Sequence, residues 1–107
     1  MKVLMVCSGG MSSTIVVKAI EKEAAKQNFP LEINAIGTPE YPDEIQKGGF
    51  DVVIVAPQVK HRLDYFKELG QQYNVPVELI PPTGYTPIGA AKVLNEIIKK
   101  YSQNTQI

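Results

Sequence analysis

The chain has 107 residues, 44% of them hydrophobic, with 11 acidic and 11 basic side chains in balance. That length suits a single domain spanning residues 1–107, with a core that needs no covalent staple. The neutral balance argues against a nucleic-acid binder, and one cysteine with one histidine (Cys7, His61) excludes an internal disulfide and offers too few soft ligands for a metal site. The apolar N-terminus is too short for a signal peptide, and no stretch approaches the roughly 20 apolar residues of a membrane span. A cytoplasmic protein without metal, cofactor or membrane insertion is expected.

In chain order, Val3–Val6 is a continuous apolar run, as in a strand covered on both faces. Ser13 to Gln27 is helical, with Val16, Ile20 and Ala24 on one stripe and Lys18, Glu21, Lys22 and Lys26 facing away. Asn28 to Pro30 ends that helix, and Leu31–Ile36 alternates as a second strand. Gly37 to Pro42 reads as a loop, and Asp43 to Lys47 as a short helix closed by Gly48-Gly49. Asp51–Ala56 is a third strand, fully buried, with Pro57-Gln58-Val59 as its exit loop. Lys60 to Tyr73 is helical, its inner face carrying Leu63, Phe66, Leu69 and Tyr73. Pro76–Ile80 is a short fourth strand and Pro81 to Gly84 a turn. The last helix is expected from Pro87 to Tyr101, with Ala90, Leu94, Ile97 and Tyr101 inward, before a frayed polar tail over 102–107.

Strands alternating with helices imply an α/β fold: a doubly wound, four-stranded parallel sheet of order 2-1-3-4 with helices on both faces. It resembles the low-molecular-weight phosphatase fold. Ligands of such sheets bind outside the carboxyl ends of the strands. The loops after Val6, Ile36, Ala56 and Ile80 therefore share one rim.

The first of those loops holds the chemistry. Cys7-Ser8-Gly9-Gly10-Met11-Ser12-Ser13-Thr14 joins a strand end to a helix start. Gly9 and Gly10 let successive backbone N–H groups line one concavity, and the helix adds its unpaired N–H groups and positive dipole end. Ser12, Ser13 and Thr14 add hydroxyls, one of which is expected to cap the helix. Such a loop favours a phosphate, and it favours the thiolate of Cys7 for the same reason. The bland alternative is a structural cysteine, a turn and a cap. The register of strand end, glycine pair, hydroxyls and helix start weighs against it. Cysteine phosphatases place arginine six residues after the nucleophile, where its guanidinium forks the phosphate oxygens. Here that position is Ser13, and the only arginine in the chain is Arg62. A loop that binds phosphate without hydrolytic machinery suits a carrier.

The Cys7 loop, together with the buried strand leading into Ala56-Pro57-Gln58, resembles the B component of the lactose/cellobiose class of the bacterial sugar phosphotransferase system. The resemblance covers nearly the whole chain. It implies that Cys7 accepts a phosphoryl group from a phosphohistidine of the A component. Cys7 then passes the group to a sugar, a disaccharide such as cellobiose or lactose, that the membrane C component imports. It makes residues Ser8, Gly9, Gly10, Met11, Ser12, Ser13 and Thr14 the phosphate cradle, with Pro57 and Gln58 as neighbours shaping the site.

Two other readings stand beside it: a small cysteine phosphatase or oxyanion reductase, and a non-catalytic interaction module with a structural Cys7. His61, between Lys60 and Arg62, reads as a surface residue, and Asp51 stands at the wrong end of its strand for a receiver phosphoacceptor. Tyr41, Tyr65 and Tyr85 read as packing or partner contacts. If a guanidinium is what separates this loop from a hydrolase, Ser13→Arg creates turnover of a chromogenic aryl phosphate that the wild type lacks. A folded but inert variant would show that more than arginine is missing.

Overall fold

The computed structural model describes residues 1–8 and 12–104. Four parallel strands, β1 (Lys2–Cys7), β2 (Glu32–Gly37), β3 (Val52–Val55) and β4 (Val77–Leu79), form one sheet of order β2-β1-β3-β4. The helices are α1 (Ser12–Lys26), α2 (Tyr41–Gln46), α3 (Leu63–Gln72), α4 (Ala90–Val93) and α5 (Lys99–Asn104). Short 3-10 segments cover Thr38–Glu40 and Pro57–Arg62, and a π turn, Leu94–Ile98, joins α4 to α5.

Handedness decides which face each helix covers. Right-handed crossovers carry α1 over one face as the chain steps from β1 to β2. The step back past β1 to β3, and on to β4, reverses direction and puts α2 and α3 on the other face. The two-residue period of β1 then divides the core. Val3, Met5 and Cys7 join Val16, Ile20 and Ala24 of α1 with Leu94 and Ile98 from the C-terminal helix. Leu4 and Val6 join Tyr41, Ile45 and Phe66 of α2 and α3. A strand packed on both faces has no polar side, which is why β1 and β3 read as unbroken apolar runs.

Several boundaries differ from the sequence expectation. The segment Thr38–Tyr41 is helical rather than loop, because Pro39 and Pro42 each fall at the first positions of a helical turn, where a missing N–H costs nothing. Tyr41 is thereby fully buried, its ring edge-on to Phe66 and its hydroxyl donating to the Phe66 carbonyl at 2.7 Å. β1 is longer than the expected Val3–Val6, whereas β3 and β4 are shorter than expected: Asp51 lies outside β3, where its carboxylate accepts from the Lys2 N–H at 2.8 Å, and β4 spans only Val77–Leu79.

The exit segment after Ala56 is 3-10 helical through Arg62, with a kink at Val59, so α3 starts at Leu63 instead of Lys60. Tyr73, expected inward, is exposed, because α3 already ends at Gln72. The last helix starts at Ala90 and not at Pro87. Residues 86–89 form a turn in which the Gly89 N–H donates to the Thr86 hydroxyl and carbonyl. The π turn shifts its inner face, so that Ile98 is buried and Ile97 only partly so. The expected tail is helical through Asn104, and residues 105–107 lie outside the described chain.

Both long helices end alike. Asn28 and Asn74 take left-handed conformations, φ 54° and 57°. The next residue's N–H reaches back five positions, Phe29 to Ala24 and Val75 to Gly70. This is the Schellman closure, which turns the chain toward the next strand.

Gly70 shows how tightly α3 sits on β4. A Cβ there would stand 2.7 Å from both the Val75 carbonyl oxygen and Val77 Cγ2. Gly70→Ala, favourable by helix propensity alone, should instead destabilise the protein by about 1–3 kcal/mol in urea unfolding. A gain would show that α3 can shift. Tyr41→Phe removes the hydroxyl bond to the Phe66 carbonyl, which keeps its place in the α3 ladder, at a cost of about 0.5–1.5 kcal/mol. Burial, helped by nearby Tyr65, also pushes the Tyr41 phenol far above its ordinary range. Above about pH 10 the unfolded chain therefore loses a proton that the native state keeps, and stability falls as pH rises. Denaturation at pH 8 and pH 11 should show a smaller alkaline loss for Tyr41→Phe than for the wild type.

Candidate functional site

The strand register brings four loops to one rim. Cys7 pairs with Gly37, Val6 with Val55, and Val55 with Leu79, so the strands end almost level. Beyond them lie Ser8, the Thr38–Glu40 segment, the Pro57–Arg62 segment and the residues from Pro81 to Gly89. The Ala56 N–H donates to the Val6 carbonyl at 2.9 Å, which extends the β1–β3 pairing by one step and sets Pro57 beside the Cys7 loop. Asp51 sits at the opposite, amino-terminal edge, hydrogen-bonded to the backbone of Lys2.

Cys7 is the last residue of β1 and 2% exposed. Its side chain points to the face covered by α1 and α4, into the cluster that contains Ala56, Tyr85 and Ala90. The thiol donates to the Ile36 carbonyl at 3.3 Å. The Thr38 hydroxyl donates to the carbonyl of Cys7 at 3.4 Å. The end of β2 thus holds the nucleophile candidate through both its backbone and its sulfur. Sequence reading did not single out Ile36 or Thr38. Strand order with level carboxyl ends would have found them, since that register sets Gly37 opposite Cys7.

Ser8 is exposed in a bend directly after the strand. Gly9, Gly10 and Met11 lie outside the described residues. Helix α1 begins at Ser12, one residue before the expected start at Ser13, so Ser12, Ser13 and Thr14 occupy its first turn, and Thr14 is exposed. A 15-residue helix with its amino end at this rim directs a positive dipole end toward the space above Cys7. Pro57 is half-buried and Gln58 exposed at the start of the 3-10 segment, which packs against β1. His61 and Arg62 are exposed in the same segment, and Arg62 stacks 5.0 Å over the Tyr65 ring. Tyr85 belongs to the core cluster around Cys7, a packing role as expected. A surface groove of about 360 Å³ lies elsewhere, between α3 and the start of β4, lined by Asp64, Gln71 and Pro76 among others.

No helix among the described residues is long and apolar enough to cross a membrane. The oligo-β-mannoside-specific EIIB component of the phosphotransferase system of Bacillus subtilis (strain 168) is 30% identical over 84 residues, 78% of this chain and 80% of that protein. The lactose-specific EIICB component of Lactococcus lactis subsp. lactis is 37% identical over 65 residues, 61% of this chain but only 11% of that protein. The solution structure of the cellobiose-specific phosphotransferase IIB component protein of Borrelia burgdorferi aligns with a TM-score of 0.74 at 31% identity, covering 96% of this chain and 93% of that one. Residues 2–96 match the family described as PTS system, Lactose/Cellobiose specific IIB subunit. With residues 2–96 matched and an EIIB relative 30% identical over most of both chains, the chain belongs to the lactose/cellobiose-specific IIB family of the sugar phosphotransferase system.

Proposed function

We propose that this chain is a phosphoryl carrier whose phosphorylated residue is Cys7. The observation that carries the reading is the position of Cys7: the end of the central strand, at the rim where α1 starts. The donor is a phosphohistidine of the A component. The acceptor is a hydroxyl of a sugar, a disaccharide of the cellobiose or lactose type, presented on the cytoplasmic side by the membrane C component. The fusion of C and B components named in the Lactococcus lactis relative supports that second partner. Residues 1–107 act in this as one domain.

In the first step the Cys7 thiolate attacks phosphorus in line. An S–P bond forms as the P–N bond breaks, and the imidazole leaves with the electron pair. In the second step a sugar hydroxyl oxygen attacks the same phosphorus, its proton passing to solvent or the acceptor protein, and the thiolate departs with the S–P electrons. Positioning and electrostatics supply most of the acceleration in such transfers.

The resting contact between the thiol and the Ile36 carbonyl fits this sequence. It suits the protonated sulfur only. Once the proton is lost, the carbonyl oxygen repels the thiolate, and the N–H groups at the start of α1 attract it. The Thr38 hydroxyl, bonded to the Cys7 carbonyl, holds the strand end while the side chain turns. Ser8 to Thr14 cradle the phosphoryl oxygens, and Pro57 and Gln58 close the adjacent side.

Incubation with a phosphorylated A component should add the mass of one phosphoryl group to the wild type and none to Cys7→Ser. That substitution keeps a hydrogen-bond donor facing Ile36 and should fold. Labelling of the serine variant, or an unlabelled wild type, would remove Cys7 from the role. Steady hydrolysis of the donor's phosphate would instead favour the phosphatase reading.

A further inference from the structure

A chain with no net charge places three consecutive basic side chains, Lys60, His61 and Arg62, beside its reactive rim. All three are exposed. The ion pairs among the described residues use Lys26, Lys47 and Lys100, and none uses this cluster. Arg62 is held in place by its stacking on Tyr65, so its charge is presented by a side chain with reduced freedom. The cluster sits on the 3-10 segment that packs against β1, four to six residues past Ala56. That places it on the connection leaving the rim, where exposed charges act over a range of about 8 Å at physiological ionic strength. On the far side of this segment, α3 opens with Asp64, and across the rim Glu40 is engaged by the Gly37 N–H at 3.4 Å.

We propose that Lys60, His61 and Arg62 form the electrostatic docking patch for the phosphorylated donor protein, an inference that rests on the carrier reading of Cys7. The kind of partner it fits is a protein face bearing a phosphoryl dianion among acidic side chains. The direction of transfer selects the donor over the acceptor. Before transfer the dianion is on the partner and the patch is here, so the two attract across the interface. After transfer the same charge sits on Cys7, in front of the patch, and the partner has lost it. The attraction that assembles the complex is thus removed by the reaction it assists, and the spent donor is released. In the onward step the patch faces a phosphoryl group already on its own chain and gives the acceptor no comparable pull.

The test measures transfer of radiolabelled phosphate from a phosphorylated A component of a lactose/cellobiose system to the full chain, at limiting and at saturating donor, across a salt series. At limiting donor the wild-type rate should fall about tenfold or more from low to high salt. The Lys60→Glu/Arg62→Glu variant should be at least about tenfold slower at low salt and nearly flat with salt. At saturating donor it should reach the wild-type single-turnover rate within about twofold, because Cys7 and its loop are untouched. Lys18→Glu/Lys22→Glu, an equal charge change on the outer face of α1, should behave as wild type. Equal salt slopes for wild type and the Lys60/Arg62 variant would overturn the proposal. So would a loss that persists at saturating donor, or one confined to transfer from phosphocysteine to sugar, which would assign the patch to the membrane component. A wild type that takes no label removes the carrier reading, and the docking proposal with it.

Discussion

Everything at the rim depends on one strand being hydrogen-bonded on both edges and covered on both faces. β1 pairs with β2 and β3 along its length, and every residue from Val3 to Cys7 is buried. Such a strand cannot slip. A shift of one residue would exchange Val3, Met5 and Cys7 with Leu4 and Val6, and two differently shaped cores would have to trade contents. The position of Cys7 at the carboxyl end, and the face to which its sulfur points, are consequences of that packing rather than of local loop chemistry.

That rigidity bears on reactivity in two ways. It holds the peptide group of Cys7 between Thr38 and the neighbouring strands, which favours accurate placement of a reacting atom. It also lets the sulfur rest inside the core, against the Ile36 carbonyl. A thiol shielded in this way is protected while no partner is docked. A carrier needs both properties, since a sulfur that reacts with every electrophile would lose its function, and one that is loosely held would transfer slowly. The lack of arginine at position 13 belongs to the same logic. In the proposed carrier role, the absence of a guanidinium on the equatorial oxygens gives water little help in attacking a phosphoryl group held on Cys7.

The surroundings of the site are correspondingly plain. Among the described residues, the rim carries small and polar side chains at Ser8, Thr14 and Gln58 and basic ones at Lys60 to Arg62. Exposed charge of this kind suits brief contact with another protein. Neutrality of the whole chain makes the local charge at the rim more effective, because no background field competes with it.

The sequence by itself determined a good deal. Period-2 and period-3.6 patterns in apolar residues established which segments are strands and which are helices, and their alternation led to the doubly wound parallel sheet of order 2-1-3-4 that is found. The Cys7 loop and Ala56-Pro57-Gln58 carried the family, because their residue types are chosen by chemistry and local backbone geometry. Boundaries were less legible. Pro39, Pro42 and Pro57 read as loop residues but start helical turns, since proline is equally suited to both and only the packing of Tyr41 and Val59 decides. What tertiary structure alone decided was contact between separate elements: Ile36 and Thr38 gripping Cys7, Tyr41 reaching the Phe66 carbonyl, Gly70 of α3 pressed on Val77 of β4, and the inward rest position of the sulfur. These partners stand 25 to 31 residues apart in the hydrogen-bonded cases. No local pattern encodes them, because they exist only once the strands are in register.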